Sequence, residues 1–204
     1  MRRTKKRKKS RKNKTKKVYD KDDFASGDGM LTSVWGPSLW HYLHTMSFNY
    51  PVKPTRKDKK HYKQFIMNLR NVLPCKYCRM NLRKNLKDLP LRDKDLKNRH
   101  NFSLWMFRLH EHINKMLGKK SGLTFKQVRE RYEHFRSRCT IDIDKKTNMI
   151  KIKPIKKKTR KKRKKEKGCV EPLYGKKSKC VIKIVPKDKK VPTFQMDDRC
   201  KKKR

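Results

Sequence analysis

Acidic side chains are scarce in this chain. Only 18 Asp and Glu stand against 64 Lys and Arg, leaving a formal net charge of +46 over 204 residues. Charge of that size on one compact body would repel itself severely, so part of it must lie outside any core. Long apolar runs are also missing. No stretch approaches the roughly 18 apolar residues of a membrane-spanning helix, so no transmembrane segment is expected. The N-terminal run MRRTKKRKKSRKNKTKK has no apolar residue after Met1, which is unlike a secretory signal. It has no acid either, but it lacks the amphipathic spacing of a transit peptide. No internal repeat is visible, and no second C-x-x-C accompanies Cys75-Lys76-Tyr77-Cys78.

What is present is concentrated in the middle. Residues 31–139 hold 25 Lys/Arg and 7 Asp/Glu, a net of +18, together with all three tryptophans; the remaining residues carry a net of +28. This predicts a helical domain over 31–139 between a basic, disordered N-terminal tail, 1–30, and a basic, cysteine-containing C-terminal tail, 140–204. The tails suit non-specific polyanion binding, to nucleic acid or an anionic membrane surface, or a nuclear signal; the bland alternative is a solvated charge run.

The middle reads as all-α, a small helical bundle of a four-helix core plus a short fifth helix. Ser33-Val34-Trp35-Gly36-Pro37 looks like a helix start, with Pro37 near the first turn where its missing N–H is harmless. Leu39, Trp40, Leu43, Met46 and Ser47 follow at helical spacing until Pro51. A second stripe, Tyr62, Phe65, Ile66, Leu69 and Leu73, predicts a helix from about Asp58 to Leu73. Pro74 ends it and leaves Cys75 at the start of a third helix, to about Leu86. A fourth covers about His100 to Leu117, closed by Gly118. Thr124-Phe125-Lys126-Gln127 fits a capping box and opens a fifth helix reaching Arg138 or Cys139. Further on, IDIDKKTNMIKIKPI alternates well enough for a hairpin, and CVIKIV for one strand.

Three readings of Cys75 and Cys78 compete. Zinc needs two more ligands; His110-Glu111-His112 is the nearest cluster, but an H-x-H pair on a helix points its rings to different faces. A thioredoxin-like site needs a βαβ context, and no β-branched run precedes Leu73. The third reading is a redox pair at a helix N-terminus, where backbone N–H groups favour a thiolate. Such a pair accepts electrons from a dithiol and needs an onward acceptor, which a flavin would supply.

WGPSLWHYLH (35–44), LPCKYC (73–78) and LHEHINKMLGK (109–119) together resemble, in order and spacing, the Erv/ALR sulfhydryl oxidases. The resemblance covers roughly residues 31 to 135. It implies an FAD-dependent helical bundle that forms disulfides in protein dithiol substrates and passes the electrons to O2, giving hydrogen peroxide. Cys75 and Cys78 are then catalytic, with Cys75 meeting substrate and Cys78 nearer the flavin. Gly36, Trp40, His44, His110, Asn114 and Lys119 are implied to contact FAD, with Tyr132 against the adenine. Leu43 and Leu109 read as core. Glu111 stands where relatives carry an asparagine, and Phe107 replaces a cysteine that some relatives use as a staple. Cys139 is expected to be free or paired within the tail, and Cys169 and Cys180 are candidates for a shuttle pair. A homodimer through the first two long helices is implied. The lysine-rich tails resemble versions carried by large DNA viruses, which act in host cytoplasm or in the virion; the mitochondrial intermembrane space is the alternative. The competing function is a basic nucleic-acid-binding protein whose C-x-x-C is incidental or binds zinc.

Overall fold

The computed structural model describes residues 21–27, 29–138, 168–186, 188–189, 191–192 and 195–203. Six α-helices occur among them: α1 Lys21–Ala25, α2 Thr32–Phe48, α3 Arg56–Val72, α4 Lys76–Asp88, α5 Arg99–Met116 and α6 Phe125–Glu133. The bundle is organised by α2 on α5, α3 on α4, α6 across α2 and α5, and a smaller contact of α4 with α5 that joins the two halves. Leu43, Ile66, Leu69, Leu73, Leu82, Leu86, Phe102, Trp105, Met106 and Leu109 fill the space between them. These are the residues that the helical stripes present to one side, and their burial is the main driving force for assembly. Leu43 and Leu109 are core, as the sequence suggested.

Chain direction is set by local chemistry. Thr55 and Asp58 close a capping box on α3, and Thr124 and Gln127 close one on α6. Asn98 caps α5 through Asn101 N–H, and Gly118, with φ +65°, turns the chain away after its last turn. The connector after α4 is pinned by Tyr50, whose hydroxyl donates to Leu96 O at 3.0 Å, while Arg99 Nε donates to Tyr50 O at 2.6 Å.

Several boundaries differ from the sequence reading. α2 begins at Thr32, so Pro37 sits in its second turn rather than its first. Ser33 O consequently lacks its i+4 donor; the extra turn is supported by Trp35, whose indole N–H donates to Met30 O at 3.0 Å. α6 stops at Glu133. There Arg136 folds back onto the Glu133 carboxylate and reaches Phe48 O, and Ser137–Arg138 (β1) pairs antiparallel with Glu171–Pro172 (β2). CVIKIV forms no strand; its side chains are mostly exposed, and an alternating segment needs a paired edge to become one. The expected hairpin at 141–155 lies outside the described residues. The C-terminal segment packs on α6, with Leu173 N–H donating to Arg136 O at 2.7 Å and Lys202 N–H to His134 Nδ1 at 2.9 Å. At the other end, α1 and the Gly29–Met30 segment carry structure within a stretch expected to be tail.

Candidate functional site

Residues four apart on a helix share a face. On α2 that spacing strings Thr32, Gly36, Trp40, His44 and Phe48 along one stripe that rises about 24 Å, at 1.5 Å per residue, and winds round the helix by about 40° at each step. Its two ends carry different chemistry.

At the Thr32 end lies the cysteine pair. Pro74 halts α3, and Cys75 becomes the N-cap of α4, its Sγ accepting from Cys78 N–H at 3.3 Å. Both cysteines are free thiols. Cys78 packs against the core, which Cys75 does not, and Thr32 Oγ1 lies 3.9 Å from Cys78 Sγ. Hydrogen bonding from Cys78 holds the Cys75 thiol below its usual range, with smaller help from Thr32. Burial pushes Cys78 the other way, and its bond to Cys75 adds to that. Two devices fix this loop. Arg79 donates to Leu73 O at 2.5 Å. Met30 N–H donates to Pro74 O at 2.7 Å, laying the Gly29–Met30 segment across the loop. A Cβ on residue 29 would come 2.8 Å from Pro74 O and 2.9 Å from Cys75 Cα, so only glycine permits the approach.

At the other end is an aromatic array. Trp40 and His110 stack at 3.8 Å between centroids and 6° between planes. His44 Nε2 and His110 Nδ1 share a hydrogen bond of 3.0 Å. Tyr132 lies 5.2 Å from His44 and stacks on Phe48 at 5.4 Å. Burial drives the His44 pKa down to about 3, with the neighbouring histidines adding to it, and the His110 pKa down to about 4. Both are therefore neutral at pH 7. Burial likewise raises the Tyr132 hydroxyl to about 12. His44 Nδ1 is buried and lacks a hydrogen-bond partner among the described residues.

The structure thus brings Trp40, His44, His110 and Tyr132 together and sets Gly36 between them and the cysteines. Asn114 lies one turn beyond His110 on α5, its amide donating to Glu111 Oε1 at 3.0 Å, and Lys119 is exposed in the turn after α5, its N–H donating to Asn114 O at 2.8 Å. Glu111 therefore engages its own helix. His110 and His112 do diverge, the latter facing Asp88 at 3.6 Å. Phe107 packs near Phe125 at 5.8 Å. Cys169 is disulfide-bonded while Cys180 is a free, exposed thiol, so these two are not bonded to each other; Cys139 lies outside the described residues. Sequence reasoning passed over Thr32 and Phe48. The signal was present: both extend the four-residue spacing of Gly36, Trp40 and His44.

The donor set suits a planar, nitrogen-rich cofactor. Trp40 and His110 are already in stacking contact, so a flat heterocycle would lie against the outside of that stack, where Trp40 is only partly buried. The orphaned His44 Nδ1 needs a polar partner that the described protein does not supply. At Gly36 a Cβ would meet only Thr32 Cγ2, at 3.6 Å, so packing does not demand glycine there. What a side chain would take is the open face between Thr32 and Trp40.

Comparison with known proteins converges on one group. The Erv1 / Alr family model matches residues 37–133. A probable FAD-linked sulfhydryl oxidase of Acanthamoeba polyphaga mimivirus is 37% identical over 104 residues, 51% of this chain and 72% of that protein. An FAD-linked sulfhydryl oxidase of African swine fever virus is 36% identical over 86 residues, 42% of this chain and 70% of that one. The crystal structure of the FAD-binding domain of Erv1 from Saccharomyces cerevisiae matches with a TM-score of 0.46 at 26% identity, over 50% of this chain and 94% of that chain.

Proposed function

Because the chain belongs to the Erv1 / Alr family, we propose that it is an FAD-linked sulfhydryl oxidase in which Cys75 and Cys78 take electrons from substrate dithiols. The observation that carries this reading is the α2 stripe, which leads from the Cys78 sulfur past Gly36 to the Trp40–His110 stack. Gly36, Trp40, His44, His110 and Tyr132 would hold the cofactor, with Asn114 and Lys119 at its periphery. Bound there, FAD would supply a two-electron acceptor that O2 could re-oxidise, with hydrogen peroxide as product.

The chain's own part is thiol–disulfide exchange. In the oxidised form a substrate thiolate attacks Cys75 Sγ, a substrate–Cys75 bond forms, and Cys78 leaves as thiolate. The second substrate thiolate then attacks the mixed disulfide and releases Cys75. The substrate loses two electrons and two protons, and the pair gains the electrons. Cys75 is the entry point because it stands outside the core that holds Cys78. The Gly29–Met30 segment and Arg79 keep the loop in place through the exchange. His44 and His110, neutral at pH 7, orient rather than transfer protons. A relay through the C-terminal segment would require exchange between Cys180 and the disulfide of Cys169. We also propose a homodimer through the outer faces of α2 and α3, where Tyr42 and Phe65 meet edge to face at 6.1 Å with both rings exposed.

The test is direct. Purified protein should be yellow, carry one FAD per chain, and form peroxide from dithiothreitol; Cys78→Ser should keep the flavin and lose turnover. Protein that stays colourless after incubation with excess FAD, and forms no peroxide, removes the proposal.

A further inference from the structure

The cysteine pair sits in a one-signed electrostatic field. From residue 59 to residue 87 the chain has no Asp or Glu, yet it has nine Lys and Arg. That stretch is almost all of α3 and α4, the two helices that meet at Cys75. Among the described residues these cations find little compensating charge: Lys63 reaches Asp93 only at 3.7 Å, with both side chains well exposed, and Arg79 and Arg83 donate to the neutral Leu73 O and Asn71 Oδ1. On α4, Lys76, Met80, Arg83 and Lys84 are all exposed and lie at helical spacing, so a cationic stripe starts between the two cysteines and runs outward.

Apolar side chains crowd the same rim. Tyr77 is 75% exposed, Val72 68% and Met80 53%. Met30 and Leu31, each 70% exposed, are brought beside them by the bond from Met30 N–H to Pro74 O. Five exposed apolar groups around a half-buried thiol form a collar that the fold itself does not use, and such patches mark interaction surfaces.

Resting on the thiol-oxidase reading, we propose that this face docks polypeptide substrates whose dithiol is flanked by apolar side chains and acidic residues. Charge complementarity names the occupant. An acidic segment is drawn along α4 toward Cys75, and the collar holds the side chains next to its cysteines. A nucleic acid would satisfy the cations but would leave Val72, Met80, Met30 and Leu31 without aliphatic partners and would offer no thiol.

The experiment uses the full-length FAD-loaded protein and two synthetic peptides sharing one apolar dithiol core, flanked by Asp/Glu in one and Lys/Arg in the other. Turnover of each is normalised to dithiothreitol in the same preparation. The acidic peptide should show a kcat/KM roughly tenfold higher at low salt, carried by KM. The two should converge at about 1 M salt, where the screening length falls to about 3 Å. Lys76→Glu/Lys84→Glu should shrink the normalised ratio toward one or invert it. Equal peptides at low salt with normal dithiothreitol turnover overturn this inference and leave the oxidase reading standing; no dithiothreitol turnover overturns the oxidase reading itself. If instead duplex DNA binds wild type but not the double variant, and the peptide ratio stays at one, the stripe is a nucleic-acid surface and the proposal is wrong.

Discussion

Thr32 reaches Cys78 Sγ from the first turn of α2, and its hydroxyl lowers the pKa of both thiols. The pair is therefore asymmetric: Cys75 is favoured as thiolate by the bonds it accepts, and Cys78 is held as thiol by burial. Iodoacetamide labelling of the dithiothreitol-reduced protein should follow that order, with Cys75 modified first and its rate rising at a pH below that of an ordinary cysteine. Thr32→Val, which keeps the shape and removes the hydroxyl, should move the Cys75 midpoint upward, and Thr32→Ser should restore it. Identical midpoints in wild type and Thr32→Val would show that the hydroxyl plays no part. The cysteine pair was legible in sequence because a proline and two thiols at a helix start are a local signal. Thr32 was not, because its contact spans 46 positions and shows only once the first turns of α2 and α4 are brought together.

Among the elements, α2 and α5 are joined by the His44–His110 hydrogen bond, and that joint is sensitive to acid. Both folded pKa values, about 3 and about 4, lie below the ordinary 6.5. Below pH 6.5 the unfolded chain binds protons that the native pair refuses, so stability is full above that value and falls as pH drops toward 4. At pH 5 the loss is roughly 2 kcal/mol for each histidine. Urea midpoints at pH 7 and pH 5 should reveal it, and His44→Phe should remove about half of the difference; a wild-type midpoint unchanged between the two would contradict this account. The long helices were legible because their apolar stripes, and the capping residues Thr55 and Thr124, act within a few residues. The end of α6 was not. Glu133 to Cys139 continues a plausible helical pattern, and what stops it is Arg136 bonding to Phe48 O, 88 positions away. The Gly29–Met30 segment escaped notice for a related reason: it is held by two backbone groups and one indole, and backbone groups leave no mark in sequence.

For the molecule as a whole, the outer faces of α2 and α3 set two exposed rings, Tyr42 and Phe65, among the polar and cationic side chains of α3. Sedimentation equilibrium at micromolar concentration should give twice the chain mass, and Tyr42→Glu/Phe65→Glu should give the monomer. A wild-type monomer would sink the dimer across those faces. One sulfur atom then links the folding of α4 to the chemistry it serves. Cys75 Sγ caps the helix while the pair is a dithiol, and closing a bond to Cys78 turns it into a poorer acceptor. A cap is worth about 1 kcal/mol, so the reduced state is favoured by that amount. For a two-electron couple this corresponds to about 20 mV, shifting the disulfide toward a stronger oxidant before any substrate arrives.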